Sequence, residues 1–217
     1  MNRRSAVLVP ASVVLALVAG GCAGAGGTTP AAPAMPALDV QDLRARLLTP
    51  DDLGADYAVP VVMSADSTAE KHGCPSGKGP SGDADGSRRS FAAKADISFT
   101  SARAGGGSLQ ETLHSDTPAK LSAGLRAKVA AELSCPSYTI TDPVTVQVTV
   151  TRLDAPPLGD EQYRQTTTVT VAGTTTTYRW AAVRVGNVAV VLQGSPDLVD
   201  GQLPAAVRRA APATGRP

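Results

Sequence analysis

The chain of 217 residues is 42% hydrophobic and 18% charged, with 20 Lys+Arg against 19 Asp+Glu. That length suits one domain and crowds two, and the lack of a basic excess speaks against nucleic-acid binding. Phe, Trp and Tyr number 2, 1 and 4, too few for aromatic platforms that stack bases or sugars.

At the N-terminus, Arg3 and Arg4 precede an apolar run over 6–18 and the small residues Ala19, Gly20 and Gly21. This order is that of an export signal, and the run is shorter than the roughly 20 residues a spanning helix needs. The segment LVAGGC at 17–22 resembles a bacterial lipobox, with Ala19 where that family prefers Leu. The resemblance implies that the Cys22 thiol receives a diacylglyceryl group and that residues 1–21 are then cleaved away. Palmitate-type chains at Cys22 would anchor the body to the cell membrane on its extracytoplasmic face, each buried methylene adding ~0.8 kcal/mol. Cleavage removes two basic residues and no acidic ones, leaving 18 against 19. A body so close to neutral is not expected to lie flat on anionic lipid.

Residues 23–38, AGAGGTTPAAPAMPAL, carry no charge and predict a flexible spacer. Beyond Asp39, Val40, Leu43 and Leu47 recur at helical spacing. Thr49, Pro50, Asp51, Asp52 and Gly54 supply a cap, a first-turn proline, first-turn acids and a stop, which predicts one short helical turn. Residues 57–63 read as extended, with Pro60 favouring an edge or a bulge, and 64–90 as a long polar loop around Cys74. Over 90–100, Phe91, Ala93, Ala95, Ile97 and Phe99 alternate with polar residues, and the glycines at 105–107 turn this half-buried strand back antiparallel over 108–114.

Thr117 and Pro118 cap a helix that carries Leu121, Leu125, Val129 and Leu133 at intervals of four, and Pro136 ends it. Strands over 137–141, 144–153, 162–171, 174–185 and 188–193 follow, with tight turns at Ala172-Gly173 and Gly186-Asn187. A short helix over 203–211 completes the pattern. Helices at the start, middle and end of a run of consecutive strands predict an α+β fold, an antiparallel sheet packed against a few helices. The predicted organisation is a signal over 1–21, the acylated Cys22 with its spacer over 22–38, and a single domain over 39–212. Phe91, Ile97, Phe99, Val183, Val185, Val188 and Val190 are expected to form core against the helix over 121–133.

With Cys22 acylated, Cys74 and Cys135 remain, and in an oxidising compartment a disulfide between them is the economical reading. It would close a loop of about 60 residues, worth about 4 kcal/mol by the chain-entropy argument. A free buried thiol, or a metal site using His72 and Cys74, stay open as alternatives.

The motifs of catalysis are not met. Only His72 and His114 offer an imidazole, neither lies beside a Gly-x-Ser-x-Gly turn, and His114 at a polar strand end reads as solvated. The run from Gly73 to Gly79 has three residues between its glycines where a phosphate loop needs four, and Lys78 is not followed by Ser or Thr. Counting Asp83 as the first ligand of a calcium loop puts Arg88 where Gly belongs and Lys94 where Glu belongs. Glu111 with Asp116, and Asp160 with Glu161, read as solvated charges or caps.

Taken together, the lipobox, the spacer, LRARLLTPDDLGADY at 43–57, Cys74, the capped helix before Cys135, LGDEQYRQ at 158–165 and VRVGNVAVVLQ at 183–193 resemble actinobacterial lipoproteins that carry the extracellular sensor domain of PknH-type kinases. The resemblance spans about residues 39–212 and implies an α+β ligand-sensing domain with a cleft and disulfides, without enzyme activity. The kinase sensors hold two disulfides, whereas this body has cysteines for one. The expectation is therefore a cell-surface lipoprotein, not an enzyme, that binds a small molecule, a lipid or an envelope component. It would touch the membrane through its acyl chains, need no cofactor or metal, and bind no nucleic acid. The alternative is a structural lipoprotein that recruits another envelope protein.

Overall fold

Apolar residues at alternate positions give each long strand one face to bury, and antiparallel pairing aligns those faces into layers. The computed structural model describes residues 35–60, 71–72, 91–103, 105–141, 144–155 and 157–211. Within them the strands are β1 (Tyr57–Ala58), β2 (Lys71–His72), β3 (Ala93–Ser101), β4 (Ser108–Ser115), β5 (Ser137–Thr141), β6 (Thr145–Leu153), β7 (Glu161–Val171), β8 (Thr174–Val185) and β9 (Val188–Gly194). They form one antiparallel sheet in the order β1-β3-β4-β9-β8-β7-β6-β5-β2. Four helices accompany them: α1 (Val40–Arg44), α2 (Pro50–Leu53), α3 (Pro118–Leu133) and α4 (Pro196–Ala210). The domain is α+β.

The turn chemistry accounts for the long hairpins. Ala172 and Gly173 both take positive φ, 48° and 81°, so the two-residue turn between β7 and β8 follows the strand twist. Gly186, at φ 59°, does the same between β8 and β9. At α2 the Asp52 carboxylate reaches back to accept from both the N–H and the hydroxyl of Thr49, each at 2.7 Å. Thr117 caps α3 by accepting the Lys120 N–H at 3.4 Å.

Both faces of the sheet are covered, and this corrects the expectation of one core against the central helix. Phe99, Leu109, Leu113, Val183, Val188 and Val190 bury against Leu43, Leu48, Val199, Leu203 and Ala206, the residues of the α1–α2 segment and α4. On the opposite face α3 packs Leu121, Leu125 and Val129 onto Trp180, Ala182 and Ala189, with Phe91 beside them. Of the seven residues assigned to the α3 core, Phe91 is the one that packs there; Ile97, Phe99, Val183, Val185, Val188 and Val190 belong to the other face. The strand period sorts residues into two sides but does not say which helix takes which side.

Three further differences are local. The terminal helix starts at Pro196, not near 203, because Ser195 and Pro196 open it and buried Val199 and Leu203 carry it through Gly201 and Pro204. The stretch read as a polar loop contains β2, which pairs with Thr139 and Ile140 of β5. The end of the predicted spacer is fixed to the domain: Leu38 N donates to Ser115 Oγ at 2.9 Å, and Asn187 Nδ2 donates to the Pro36 carbonyl. Of the extended segment over 57–63, Tyr57 and Ala58 form β1, and 61–63 lie outside the described residues.

Candidate functional site

The α3 face of the sheet carries a row of amide and hydroxyl side chains across five strands. Register places Ser98 opposite Gln110, Gln110 opposite Gln193, Gln193 opposite Trp180, and Trp180 opposite Gln165. Two adjoining depressions follow this row, of about 230 and 210 Å³, and they share Tyr178 and Gln193. Thr100 and Ser108 line the first; Thr167, Trp180 and Glu132 line the second. Gln110, Gln193 and Tyr178 are exposed, whereas Trp180 is buried at 5% and so serves as a floor, not as a stacking platform.

Glu132 is the acidic group of this lining, and it is compensated. Lys128, one turn earlier on α3, donates to its Oε1 at 2.6 Å, Gln165 Nε2 donates to its Oε2, and the Lys128 ammonium stands 5.5 Å from the Trp180 ring centroid. What the depressions offer a ligand is therefore mainly uncharged hydrogen-bonding capacity, in volumes smaller than the roughly 300–1,000 Å³ of sites that enclose a drug-sized molecule. The sequence reading missed this row because Gln and Ser at alternate positions are the ordinary solvent face of a strand. Only the register lines them up.

The four carboxylates read as solvated or capping divide between correction and agreement. Glu111 is fully buried beneath the α1–α2 segment, where Leu48 N donates to its Oε2 at 2.6 Å and Oε1 meets no hydrogen-bond partner among the described residues. Burial pushes its carboxyl up to about 7. Asp116 is a cap: it accepts from the N–H groups of Ala92 and Thr117 at 2.9 and 2.8 Å and pairs with Lys120 at 2.6 Å. Asp160 accepts from Arg184 and from Gly186 N, both at 2.8 Å, and so braces the β8–β9 turn. Glu161 accepts from Arg126 at 2.8 Å and from Tyr163 at 2.6 Å. Burial alone would raise its carboxyl; hydrogen bonds from Ser122, Tyr163 and Arg126 outweigh that and hold it near 2. Gly159 is required just before this pair, since a Cβ there would come within 2.6 Å of the Arg184 carbonyl.

His114 is likewise not solvated. Its ring lies 4.8 Å from that of Phe91, its Nδ1 is buried without a hydrogen-bond partner among the described residues, and desolvation together with Lys94 lowers it to about 4. Strand alternation sends His114 to the α3 face and Glu111 to the other, so the two do not converge on one reacting atom. Among the described residues no group of three His, Cys, Asp or Glu is arranged to hold a metal.

Cys135 is buried at 4% beyond the end of α3, beside Tyr138 and Val148. Its expected partner Cys74 lies outside the described residues, as do Cys22 and the candidate phosphate and calcium loops. The pairing of Cys74 with Cys135 is carried forward as a proposal that non-reducing peptide mapping decides. Comparison with known proteins finds no family model and no curated relative that matches the chain.

Proposed function

We propose that this chain is a lipid-anchored extracytoplasmic binding protein that recognises a hydroxyl- or amide-bearing component of the cell envelope without transforming it. The observation that carries the reading is the Ser98–Gln110–Gln193 row with its two open depressions meeting at Tyr178. Amide groups both donate and accept, so a row of them matches alternating donors and acceptors on a polar ligand. Small, open depressions whose acidic side chain, Glu132, is already paired suit a segment of a larger molecule better than a small ligand that must be enclosed. The placement of Glu111 and His114 on opposite faces supports binding over acid/base catalysis. The likeness of 39–212 to sensor domains of PknH-type kinases supports a sensing role, and the lipobox ending at Cys22 supplies the tether.

Native mass spectrometry of the full chain, purified in detergent from its own membrane, tests this. The wild type is expected to carry a discrete mass increment beyond its acyl chains. Gln110→Leu and Gln193→Leu, both at exposed strand positions, should lose it with melting temperatures unchanged. A wild type without an increment, or one that both variants retain in full, removes the groove from this role.

A further inference from the structure

Leu109, Glu111 and Leu113 alternate along the face of β4 that carries α1 and α4, so a carboxyl occupies the centre of an apolar row. Register sets Ile97 of β3 and Leu192 of β9 on either side of it. Glu111 is fully buried. The donor that reaches it is the Leu48 N–H, 2.6 Å from Oε2, and Oε1 meets none among the described residues. Leu48 lies in the stretch that links α1 to α2 outside the sheet. Helices of five and four residues do not hold themselves together in water, so this segment depends on what it touches. It buries Leu43, Leu47 and Leu48 against the core of β3, β4 and α4, and three polar ties join it to α4. Arg46 Nη1 donates to the Ala210 carbonyl at 2.8 Å, Gln202 Nε2 donates to the Asp52 carbonyl at 3.1 Å, and Asp52 pairs with Arg209 at 3.3 Å.

We propose that the α1–α2 segment is a detachable strap: Leu48 latches it onto the protonated Glu111 carboxyl, and loss of that proton releases it while the sheet stays folded. A neutral carboxyl tolerates a dry pocket, whereas an ionised one needs several donors, and the closed strap supplies one. Opening admits water to both oxygens. The surrounding charges do not replace that water. Asp52 from α2 raises the Glu111 carboxyl and Arg209 from α4 lowers it, and these two already pair with each other. Hydrogen bonds to Thr49 hold Asp52 below the usual carboxylate range, so it stays charged from pH 5 to 8. Ile97 and Leu192 bring no charge from the flanking strands, and Asp42 and Arg44 of α1 are exposed. Glu111 is therefore the group under the strap whose charge changes in that range. Burial holds its proton up to about 7 while the strap is closed, and water returns it to 4.5 when the strap opens. Opening is thus coupled to the release of one proton, and the open population rises about tenfold per pH unit between those values and levels off above them.

Hydrogen exchange of the full chain in detergent micelles, corrected for the intrinsic pH dependence of amide exchange, tests this. The amides of Ala45, Arg46 and Leu48 are expected to exchange faster than those of Ala182 and Val190 in the sheet. Their opening should grow about 70-fold from pH 5 to pH 8. The sheet amides exchange through global unfolding, which also frees His114 on the other face. Its proton uptake runs the opposite way, so the sheet should change only about two- to threefold over the same range. In Glu111→Gln the strap amides should lose their pH dependence. Strap and sheet amides that share one rate and one pH dependence would make the opening global and overturn the proposal. Strap opening that is flat with pH in the wild type, or that keeps its 70-fold change in Glu111→Gln, also overturns it. The comparison of strap with sheet is made within the wild type, and so holds even where the variant does not fold.

Discussion

Glu111 and His114 are separated by three positions on one strand and perturb stability in opposite directions. Burial raises Glu111 from 4.5 to about 7. Between those values the folded chain keeps a proton that the unfolded chain has released, so stability falls as pH rises, by about 3 kcal/mol over the window. His114 is lowered from 6.5 to about 4, chiefly by desolvation. There the unfolded chain takes up a proton that the folded chain refuses, so stability falls as pH drops from 6.5 toward 4. From pH 4.5 to 6.5 the two slopes oppose each other and leave a shallow profile. Glu111→Gln cancels one of them and relieves the buried charge. Thermal denaturation across pH should then show the variant gaining stability steadily from pH 4 to 6.5 and melting above wild type at pH 8. A variant that melts below wild type at pH 8, with the same profile, would mean that the Glu111 carboxylate is ionised and well partnered in the folded chain.

At the scale of elements, α4 shows how burial overrides local propensity. Pro204 lacks an N–H and Gly201 is the poorest helix former after proline, which is why the sequence predicts a helix only from about 203. The helix nonetheless runs from Pro196, because Val199, Leu203, Ala206, Val207 and Ala210 share one stripe and are all buried. Ser195 joins it to the sheet: its N–H donates to the Ser108 carbonyl at 2.9 Å, and its Oγ accepts from Ser108 N at 3.1 Å. Gly201 is exposed, and a Cβ there would meet nothing within 4 Å. Gly201→Ala is therefore expected to stabilise the domain by about 0.5–1 kcal/mol, a rise of about 1–4 °C in melting temperature. A fall would show that this turn of α4 departs from regular helix.

For the whole molecule, the two-sided core and the proposed tether make separate demands. The described residues belong to one compact unit, and no helix among them is long and apolar enough to cross a membrane. The proposed attachment is through Cys22. Cys22→Ala should move the protein from the detergent phase to the aqueous phase on phase partitioning while leaving the melting temperature of the domain unchanged. Retention in the detergent phase would count against acylation at Cys22 and against the lipid-anchored reading.

Local patterning was enough to read the α+β class, the cap and length of α3, and the turns at Ala172-Gly173 and Gly186-Asn187. Each of these depends on neighbours within a few residues, and their chemistry is written in the chain. Tertiary structure alone decided the rest. Phe99 and Phe91 share one alternating segment and look alike there, yet one packs with α4 and the other with α3, because Phe91 precedes β3 and helix placement is set by long-range packing. Glu111 resembled any polar residue between two leucines until the α1–α2 segment closed over it. The glutamine row is invisible one strand at a time. It arises from register, a relation between residues as distant as Gln110 and Gln193, which the hydrophobic faces of all the strands settle together.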